Sequence, residues 1–254
     1  MIVLAQLSDL HLDGGDRAAE RAERVMGHLN ALPLDAILVT GDIADHGEPA
    51  EYTRAREILT SRFPVLVCPG NHDVRGPYRE VLLGEPPETG PVNRVHKIAG
   101  VVVAMCDSTV PGEDHGLLDK DTLGWLDTVL TAEPETPAFV CFHHPPVPLH
   151  IPYVDEIRQF GEDRLADVVA RHPQVVAILC GHAHTAAATT FAGRPLLVAP
   201  GVVSTLTLPG QKGVVDYAAP PGVAFHALAE DRRLTTHYRT FERPGTDGRG
   251  DSVL

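Results

Sequence analysis

Seven side chains that can bind metal ions follow apolar segments of this chain, at five separate places. Two of these places carry pairs, Asp9/His11 and His182/His184, whose members lie two residues apart. Alternate residues of an extended chain point to the same side, so both members of a pair can face one ion. Mixed imidazole and oxygen donors suit Mn, Fe, Zn or Co better than Ca or Mg. The full set is Asp9, His11, Asp42, Asn71, His143, His182 and His184.

The stretch Pro69–Asp73 is the densest of these places, because it puts an amide, an imidazole and a carboxylate next to one another. Gly, Asn and Asp are also ordinary turn residues, so a surface turn is the alternative for this stretch taken alone. The same order, an apolar segment followed at once by Asp, Asn or His, recurs along the chain and favours one shared site. Seven donors exceed what one such ion takes and predict two ions that share a carboxylate.

Hydrophobic periodicity divides the chain into short apolar strands and amphipathic helices. In the first half the strands are apolar on both faces, which is typical of sheets covered by helices, whereas the C-terminal part predicts antiparallel strands. In open α/β sheets ligands bind beyond the carboxyl ends of the strands, where the candidate ligands lie. The predicted helices are 16–31, 49–61, 77–83, 121–131 and 155–172, and the predicted strands are 2–7, 36–39, 65–68, 92–98, 101–105, 138–142, 175–179, 187–191, 195–199, 223–228 and 234–240.

Length and charge exclude several classes of protein. The 254 residues are enough for one sizeable core, and we expect a single domain over 1–243 followed by a flexible, glycine-rich tail, 244–254. The formal net charge of −13 argues against stable nucleic-acid binding, which needs a basic face. No apolar run reaches 18 residues, so no membrane span is expected.

Cysteine usage and the first residues indicate the compartment. Each of the four cysteines lies near the end of an apolar segment and no CxxC pair occurs, so we expect buried thiols rather than a disulfide or a thiolate metal site. The segment Met1–Gln6 lacks a basic leader and a cleavage site, and it predicts a first strand rather than a signal peptide. A cytoplasmic protein is the expectation.

The motifs together resemble the calcineurin-like metallophosphoesterases over roughly residues 2–240. The matching blocks are Asp9-Leu10-His11, Gly41-Asp42, Gly70-Asn71-His72-Asp73, His143 and Gly181-His182-Ala183-His184. The resemblance implies an α/β fold, a four-layer αββα sandwich of mixed β-sheets flanked by helices. It also implies two divalent or trivalent transition-metal ions, Fe and Mn foremost, with Zn or Co as alternatives. One ion would take Asp9, His11, Asp42 and His184, the second Asp42, Asn71, His143 and His182, with Asp42 bridging.

Within this family the chain looks most like the bacterial class III cyclic-nucleotide phosphodiesterases and the glycerophosphodiesterases. The protein Ser/Thr phosphatases of the family carry an arginine after Gly-Asp, and the corresponding segment here, Ile43–Gly47, has none. The resemblance therefore implies hydrolysis of small phosphodiesters, such as 3',5'-cyclic nucleotides or glycerophosphodiesters, by a metal-bound hydroxide. A phosphomonoesterase and a non-catalytic, metal-bearing interaction scaffold are the alternatives, and a homodimer stays open.

Four further residues are assigned roles on this basis. His72 is expected to stabilise the phosphoryl oxygens or to protonate the leaving alkoxide, with Asp73 orienting its ring; a supporting role behind the ligands is the alternative. His115 is expected to reach the substrate, or else to be a solvated loop residue. His144 is expected to be a buried histidine that supports the site.

Overall fold

A computed structural model of the chain describes residues 1–242. The elements in chain order are β1 (Ile2–Leu7), α1 (Asp16–Ala31), β2 (Ala36–Thr40), α2 (Pro49–Ile58), β3 (Val65–Cys68), α3 (Arg75–Pro77) continuing into a π-helical turn (Tyr78–Leu83), β4 (Arg94–Ile98), β5 (Val101–Met105), β6 (Gly116–Leu117), α4 (Lys120–Ala132), β7 (Ala138–Cys141), α5 (Pro152–Glu156), β8 (Gln159–Phe160), α6 (Glu162–Arg171), β9 (Val175–Cys180), β10 (Ala187–Phe191), β11 (Arg194–Val198), β12 (Thr205–Leu206), β13 (Val215–Asp216), β14 (Gly222–Leu228) and β15 (Leu234–Thr240).

Two mixed sheets form the centre of the molecule. The first has the strand order β15-β14-β1-β2-β3, with β1, β2 and β3 parallel and the two C-terminal strands antiparallel. The second has the order β10-β11-β9-β7-β5-β4, with a parallel centre and an antiparallel strand at each edge. The expected antiparallel pairing of the C-terminal strands is therefore confirmed.

Three hydrophobic clusters define four layers. One cluster lies between the first sheet and the helices α1 and α2, and another between the second sheet and α4 and α6. The third cluster joins the inner faces of the two sheets. The αββα sandwich expected from the sequence is confirmed, and it explains why the strands are apolar on both faces.

Alternation along each strand sends successive side chains into different clusters. In β2, Ile37 and Val39 pack towards the helices, whereas Ala36 and Leu38 pack between the sheets. Because both faces are covered, all five residues of this strand are buried. The parallel strands β1, β2, β7 and β9 all end at the same edge of the sandwich, and the candidate ligands follow them there.

The predicted helix 155–172 is wrong. The structure has a short helix, α5, then the strand β8, and only then α6. Gly161 adopts a left-handed conformation with φ of 69° directly before α6, which interrupts a continuous helix. Strand β8 pairs with β6, so long-range pairing overrides the local helical pattern. The predicted flexible tail, 244–254, lies outside the described residues, and none of the helices in residues 1–242 is long and apolar enough to cross a bilayer.

A buried polar network links β1 with its neighbours. The amide of Gln6 donates to Thr40 Oγ1 and to the carbonyl of Cys180, each at 2.9 Å. Its oxygen lies 3.0 Å from Nε2 of His226, whose Nδ1 is 2.8 Å from Thr236 Oγ1. His226 is fully buried, and this burial lowers its pKa to about 3. The imidazole is therefore neutral in the folded protein at neutral pH.

Acid should destabilise the fold through His226. Its pKa is lower in the folded state than in the unfolded chain, so its contribution is complete above about pH 6.5 and falls as the pH drops towards 3. Urea unfolding at several pH values should show that the free energy of unfolding falls by about 1.4 kcal/mol per pH unit as the pH is lowered through this range. His226→Gln should remove this dependence. His237→Gln, an exposed position on β15, should keep the wild-type slope. Equal slopes for wild type and His226→Gln would contradict the assignment.

Candidate active site

Backbone hydrogen bonds bring the strand-end loops together. The loops after β1 and β2 run side by side, with the amides of Leu10 and His11 donating to the carbonyl of Asp42 at 2.9 Å. In the second sheet the loop after β9 contacts the loop after β7, because Gly181 N donates to the carbonyl of His143 at 2.9 Å. His182 N donates to Asp9 Oδ1 at 3.1 Å and so joins the loops of the two sheets. The side chains that follow these strands therefore face a common space at one edge of the sandwich.

Five of the seven candidate ligands adopt left-handed backbone conformations. Asp9, His11, Asp42, His182 and His184 have φ values between 44° and 68°. Residues other than glycine rarely adopt this region, and each such residue costs about 1–2 kcal/mol. Strain of this kind concentrates at functional sites, where the surrounding structure enforces it. The conformation turns the chain sharply at the end of each strand.

One group of donors comprises Asp9, His11, Asp42 and His184, whose ligating atoms lie within 4.8 Å of one another. His11 Nε2 is 3.1 Å from His184 Nε2 and 3.4 Å from Asp42 Oδ2. His184 Nε2 is 3.4 Å from Asp9 Oδ1. Two imidazole nitrogens and two carboxylates that converge in this way form a suitable site for a transition-metal ion.

A second group lies on the other side of Asp42. His143 Nε2 is 3.2 Å from Asp42 Oδ2 and 3.2 Å from His182 Nδ1. Oδ2 of Asp42 therefore faces a histidine of each group. Asn71 lines the same space, and its Oδ1 is buried without a hydrogen-bond partner. The structure thus brings all seven sequence candidates to one place.

Second hydrogen bonds fix the rings of three of these histidines. His11 Nδ1 contacts Asp45 Oδ1 at 2.8 Å, His184 Nδ1 contacts Ser204 Oγ at 2.9 Å, and His143 Nδ1 donates to the carbonyl of Thr40 at 2.7 Å. Metal-binding histidines typically engage their other ring nitrogen in this way, which orients the ring. Sequence reasoning missed Asp45, Ser204 and Thr40 in this role. One local indication of these supporting residues was present in the sequence, because Thr40 and Asp45 flank the Gly41-Asp42 block.

Burial and neighbouring charges shift the pKa values of the groups at the centre of the site. Burial alone would lower the pKa of His143, but the charge of Asp42 and its hydrogen bond to His143 outweigh burial and raise the pKa of His143 to about 9. Burial likewise opposes ionisation of Asp42, yet His143 and His11 hold its pKa well below its usual range. Burial dominates at His182 and His184 and lowers the pKa of both, so these imidazoles stay neutral. The neutral ring is the form that binds a metal ion.

The expectation that Asp73 orients the His72 ring is wrong. His72 Nδ1 instead donates to the carbonyl of Asp45 at 2.8 Å. The carboxylate of Asp73 accepts hydrogen bonds from the backbone amides of Ile43, Ala44 and Gly70 and from the hydroxyl of Tyr52. Residues 70–73 form a turn, closed by Asp73 N donating to the carbonyl of Gly70 at 3.0 Å, and this turn directs the Asp73 carboxylate to the backbone amides rather than to the His72 ring. Asp73 therefore fastens the Asp42 loop to the Asn71 loop, and burial raises its pKa to about 6.

Two other histidines lie beside the site without entering it. His144 is buried, with Nδ1 2.8 Å from Ser108 Oγ and Nε2 donating to the carbonyl of Asp114, so no ring nitrogen is left for a metal ion. This position agrees with the supporting role expected for it. The ring of His115 packs against Phe160, with 5.5 Å between the ring centroids. His115 lines neither of the two cavities that open at the site, which are described below. The expected position of His115 beside the substrate is therefore not supported, because its side chain lies outside both cavities.

Two cavities open on either side of Asn71 and His72. The first, here called the Arg75 cavity, has a volume of about 470 Å³ and extends towards Val110 and Pro111. The second, here called the His184 cavity, has a volume of about 370 Å³ and extends towards β12 and β13. Asp45, Asn71 and His72 line both cavities. The side chain of His72 is 40% exposed and so is accessible from the cavities.

Arg75 lines the Arg75 cavity and uses three of its five N–H donors within the protein. Its Nε donates to the buried carboxylate of Asp107 at 2.8 Å, and its other nitrogens donate to the carbonyls of Thr89 and Thr109. Asp107 also accepts hydrogen bonds from Val92 N and Thr109 N. The pair therefore holds the wall of the Arg75 cavity in place.

Comparison with known proteins identifies the family. The profile of the calcineurin-like phosphoesterases matches residues 2–186. A cAMP/cGMP dual specificity phosphodiesterase of Mycobacterium tuberculosis is 36% identical over 220 residues, covering 81% of this chain and 69% of that protein. A glycerophosphodiester phosphodiesterase of Enterobacter lignolyticus is 34% identical over 217 residues, covering 80% of this chain and 78% of that protein. The chain belongs to the calcineurin-like phosphoesterase family.

The fold agrees with this membership. A dimetal phosphatase from Danio rerio superimposes with a TM-score of 0.73 at 14% identity, covering 94% of this chain and 96% of that one. At this level of identity the likeness concerns the fold alone.

The residues of this chain fit a pair of metal ions. Two buried carboxylate and amide oxygens at the site lack any hydrogen-bond partner, namely Asp9 Oδ2 and Asn71 Oδ1. A buried polar atom without a partner costs free energy, and metal coordination would satisfy both. They fall on both sides of Asp42, as two ions require.

Gly70→Ala should disrupt metal binding. A Cβ atom at Gly70 would lie 2.2 Å from Asp42 Oδ1 and 2.4 Å from Asp42 N, so the carboxylate would have to move. We expect the purified variant to retain less than one metal ion per chain, measured by plasma mass spectrometry, when the wild type retains two. Gly76→Ala is the matched control, because a Cβ there meets no atom within 4 Å. Two ions in both variants would contradict the role of this contact.

Proposed function

We propose that this protein is a dinuclear-metal phosphodiesterase that hydrolyses small phosphodiesters, 3',5'-cyclic nucleotides among them. The observation that carries the proposal is the position of Asp42 between two groups of donors. One ion would be held by Asp9, His11, Asp42 and His184, and the other by Asp42, Asn71, His143 and His182. Fe and Mn are the proposed metals, with Zn or Co as alternatives, because imidazole and oxygen donors suit these ions.

When bound, two such ions stabilise the charge on the phosphate oxygens and lower the pKa of water, so that a nucleophile forms at neutral pH. Asn71 contributes a neutral oxygen to the site, which leaves more positive charge for an anionic substrate than a further carboxylate would. The similarity to phosphodiesterases that act on cyclic nucleotides and glycerophosphodiesters supports this class of reaction.

The two cavities can hold both organic groups of an acyclic phosphodiester, because they meet at Asn71 and His72, where the phosphate would lie. A 3',5'-cyclic nucleotide carries a single nucleoside through both of its ester oxygens, so it would occupy one cavity, as a monoester would. The similarity to phosphodiesterases is what favours diesters over monoesters. The proposed substrate is a small diester whose phosphate lies at the junction, with no need for a nucleic acid or a protein partner.

His72 is proposed to act on the leaving group. Its Nδ1 proton is engaged by the carbonyl of Asp45, which leaves Nε2 as the nitrogen that faces a substrate. With Nε2 protonated, the ring can donate a hydrogen bond to a phosphoryl oxygen or a proton to the leaving alkoxide. Its backbone amide donates to Asp42 Oδ1 at 3.0 Å, which ties its position to the centre of the site.

We also propose that the protein acts in the cytoplasm. All four cysteines are free and buried, and burial raises their pKa values, so the thiols are protonated and inert. Unpaired cysteines in this number are typical of a reducing compartment.

Asp42→Ala should abolish most of the activity. Residues that only orient ligands are typically worth 10- to 100-fold in metal affinity or activity, so loss of the bridging carboxylate should cost more than about 100-fold in kcat/KM. The assay is hydrolysis of cyclic AMP, glycerophosphodiesters and aryl mono- and diesters by protein reconstituted with Mn or Zn. Asp121→Ala, an exposed carboxylate on α4, should behave as wild type.

Faster turnover of monoesters than diesters would favour a phosphomonoesterase. Absence of turnover on the whole panel by metal-loaded wild type, or unchanged activity in Asp42→Ala, would overturn the proposed function.

His72→Ala should retain both metal ions and lose rate. General acid catalysis contributes typically 10²–10⁴-fold, so kcat on alkyl diesters should fall by about this factor, and less on nitrophenyl diesters, whose leaving group needs no proton. His28→Ala, an exposed residue of α1 stacked on Phe241, is the control. An equal loss on both kinds of substrate would exclude proton donation and leave only electrostatic stabilisation by His72.

A further inference from the structure

Two exposed tyrosines line the His184 cavity. Tyr153 on α5 is 57% exposed and Tyr217, directly after β13, is 63% exposed. Both lie in the lining that also contains His11, Asp42 and His184. The Arg75 cavity differs, because none of the described residues that line it is Tyr, Phe or Trp. Large aromatic surfaces next to the site are therefore confined to one of its two cavities.

Tyr217 belongs to a segment that is tethered to the candidate ligands. Val203 N donates to the carbonyl of Asp9 at 3.0 Å, and Ser204 Oγ contacts His184 Nδ1 at 2.9 Å. From there β12 pairs antiparallel with β13, and Leu206 of this hairpin is buried in the core of the second sheet. The position of the hairpin is thus fixed relative to the site.

The ring of Tyr217 has a cation over one face. The guanidinium of Arg17 lies 5.2 Å from the ring centroid and also donates to the carbonyls of Val203 and Tyr217. Beyond Tyr217, the carboxylate of Asp216 accepts hydrogen bonds from Ala218 N and Ala219 N and fixes the turn. A rigid ring with a cation at one face is a ready platform for stacking with the other.

Tyr153 also belongs to a segment that is fixed to the rest of the protein. The preceding loop is fastened to α5, because Asp155 Oδ1 accepts a hydrogen bond from Leu149 N at 2.7 Å. The next residue, Val154, is 1% exposed and anchors the helix in the core of the second sheet. Tyr153 therefore stays at the surface of the cavity while its helix is held from below.

We propose that the His184 cavity binds the nucleobase of the substrate, with Tyr153 and Tyr217 as the stacking residues that select nucleotides over glycerophosphodiesters. This inference rests on the proposed function and assigns the base of a nucleotide substrate to one of the two cavities. An aromatic ring offers a base a sequence-tolerant stacking surface, whereas a glycerol or ethanolamine group gains little from it.

The experiment compares two ligands that differ only in the base. Binding of AMP and of ribose 5-phosphate to the Mn-loaded protein is measured by titration calorimetry, with no turnover needed. Stacking on one aromatic side chain is worth about 5- to 150-fold in affinity, so Tyr217→Ala and Tyr153→Ala should each weaken AMP binding about tenfold. Ribose 5-phosphate should bind unchanged, and Tyr217→Phe and Tyr153→Phe should keep the wild-type affinity for AMP.

Val214→Ala is the matched control, because Val214 is 58% exposed beside the same hairpin but does not line the cavity. In hydrolysis, the tyrosine variants should raise KM for cyclic AMP and leave kcat/KM for glycerophosphoethanolamine unchanged. Unchanged AMP affinity in both alanine variants, or an equal loss for AMP and ribose 5-phosphate, would overturn the proposal. A wild-type protein that binds AMP through its base but hydrolyses no diester would instead contradict the proposed function alone.

Discussion

The carboxylate of Asp42 is the group on which the rest of the site depends. Its Oδ1 accepts the amide of His72, and its Oδ2 faces His11 on one side and His143 on the other. His143 comes from the second sheet, so this one side chain connects the two sheets at the site. Gly70 leaves room for it, because any Cβ there would overlap the carboxylate. Displacement of Asp42 would therefore affect both groups of candidate ligands together.

Holding so many donors in place requires an unfavourable backbone. Five of the candidate ligands are in left-handed conformations, at about 1–2 kcal/mol each. The surrounding packing offsets this cost: the strands before the ligands are buried on both faces, and Asp73 ties two of the loops through three backbone amides. The rigid sandwich thus positions side chains that the loops alone would not hold.

Neighbours in the sequence were a poor guide to neighbours in the site. Asp73 follows His72, yet it serves the backbone, and the group that orients His72 is the carbonyl of Asp45, 27 residues earlier in the chain. The rings of His11 and His184 are likewise fixed by residues 34 and 20 positions away. Such supporting contacts form wherever two loops meet, and no local pattern marks them.

Local pattern alone predicted the strands that end in ligands, the helices that cover them and all seven candidate donors. This succeeded because double-sided burial produces continuous apolar strands, and because the ends of parallel strands lie at a common edge. Periodicity failed at 155–172, where the pairing of β8 with β6 and the left-handed Gly161 replace a continuous helix. The roles of Asp45, Ser204, Asp73 and the two tyrosines were decided only by the tertiary structure, because each depends on contacts between segments far apart in the chain, which composition and spacing do not record.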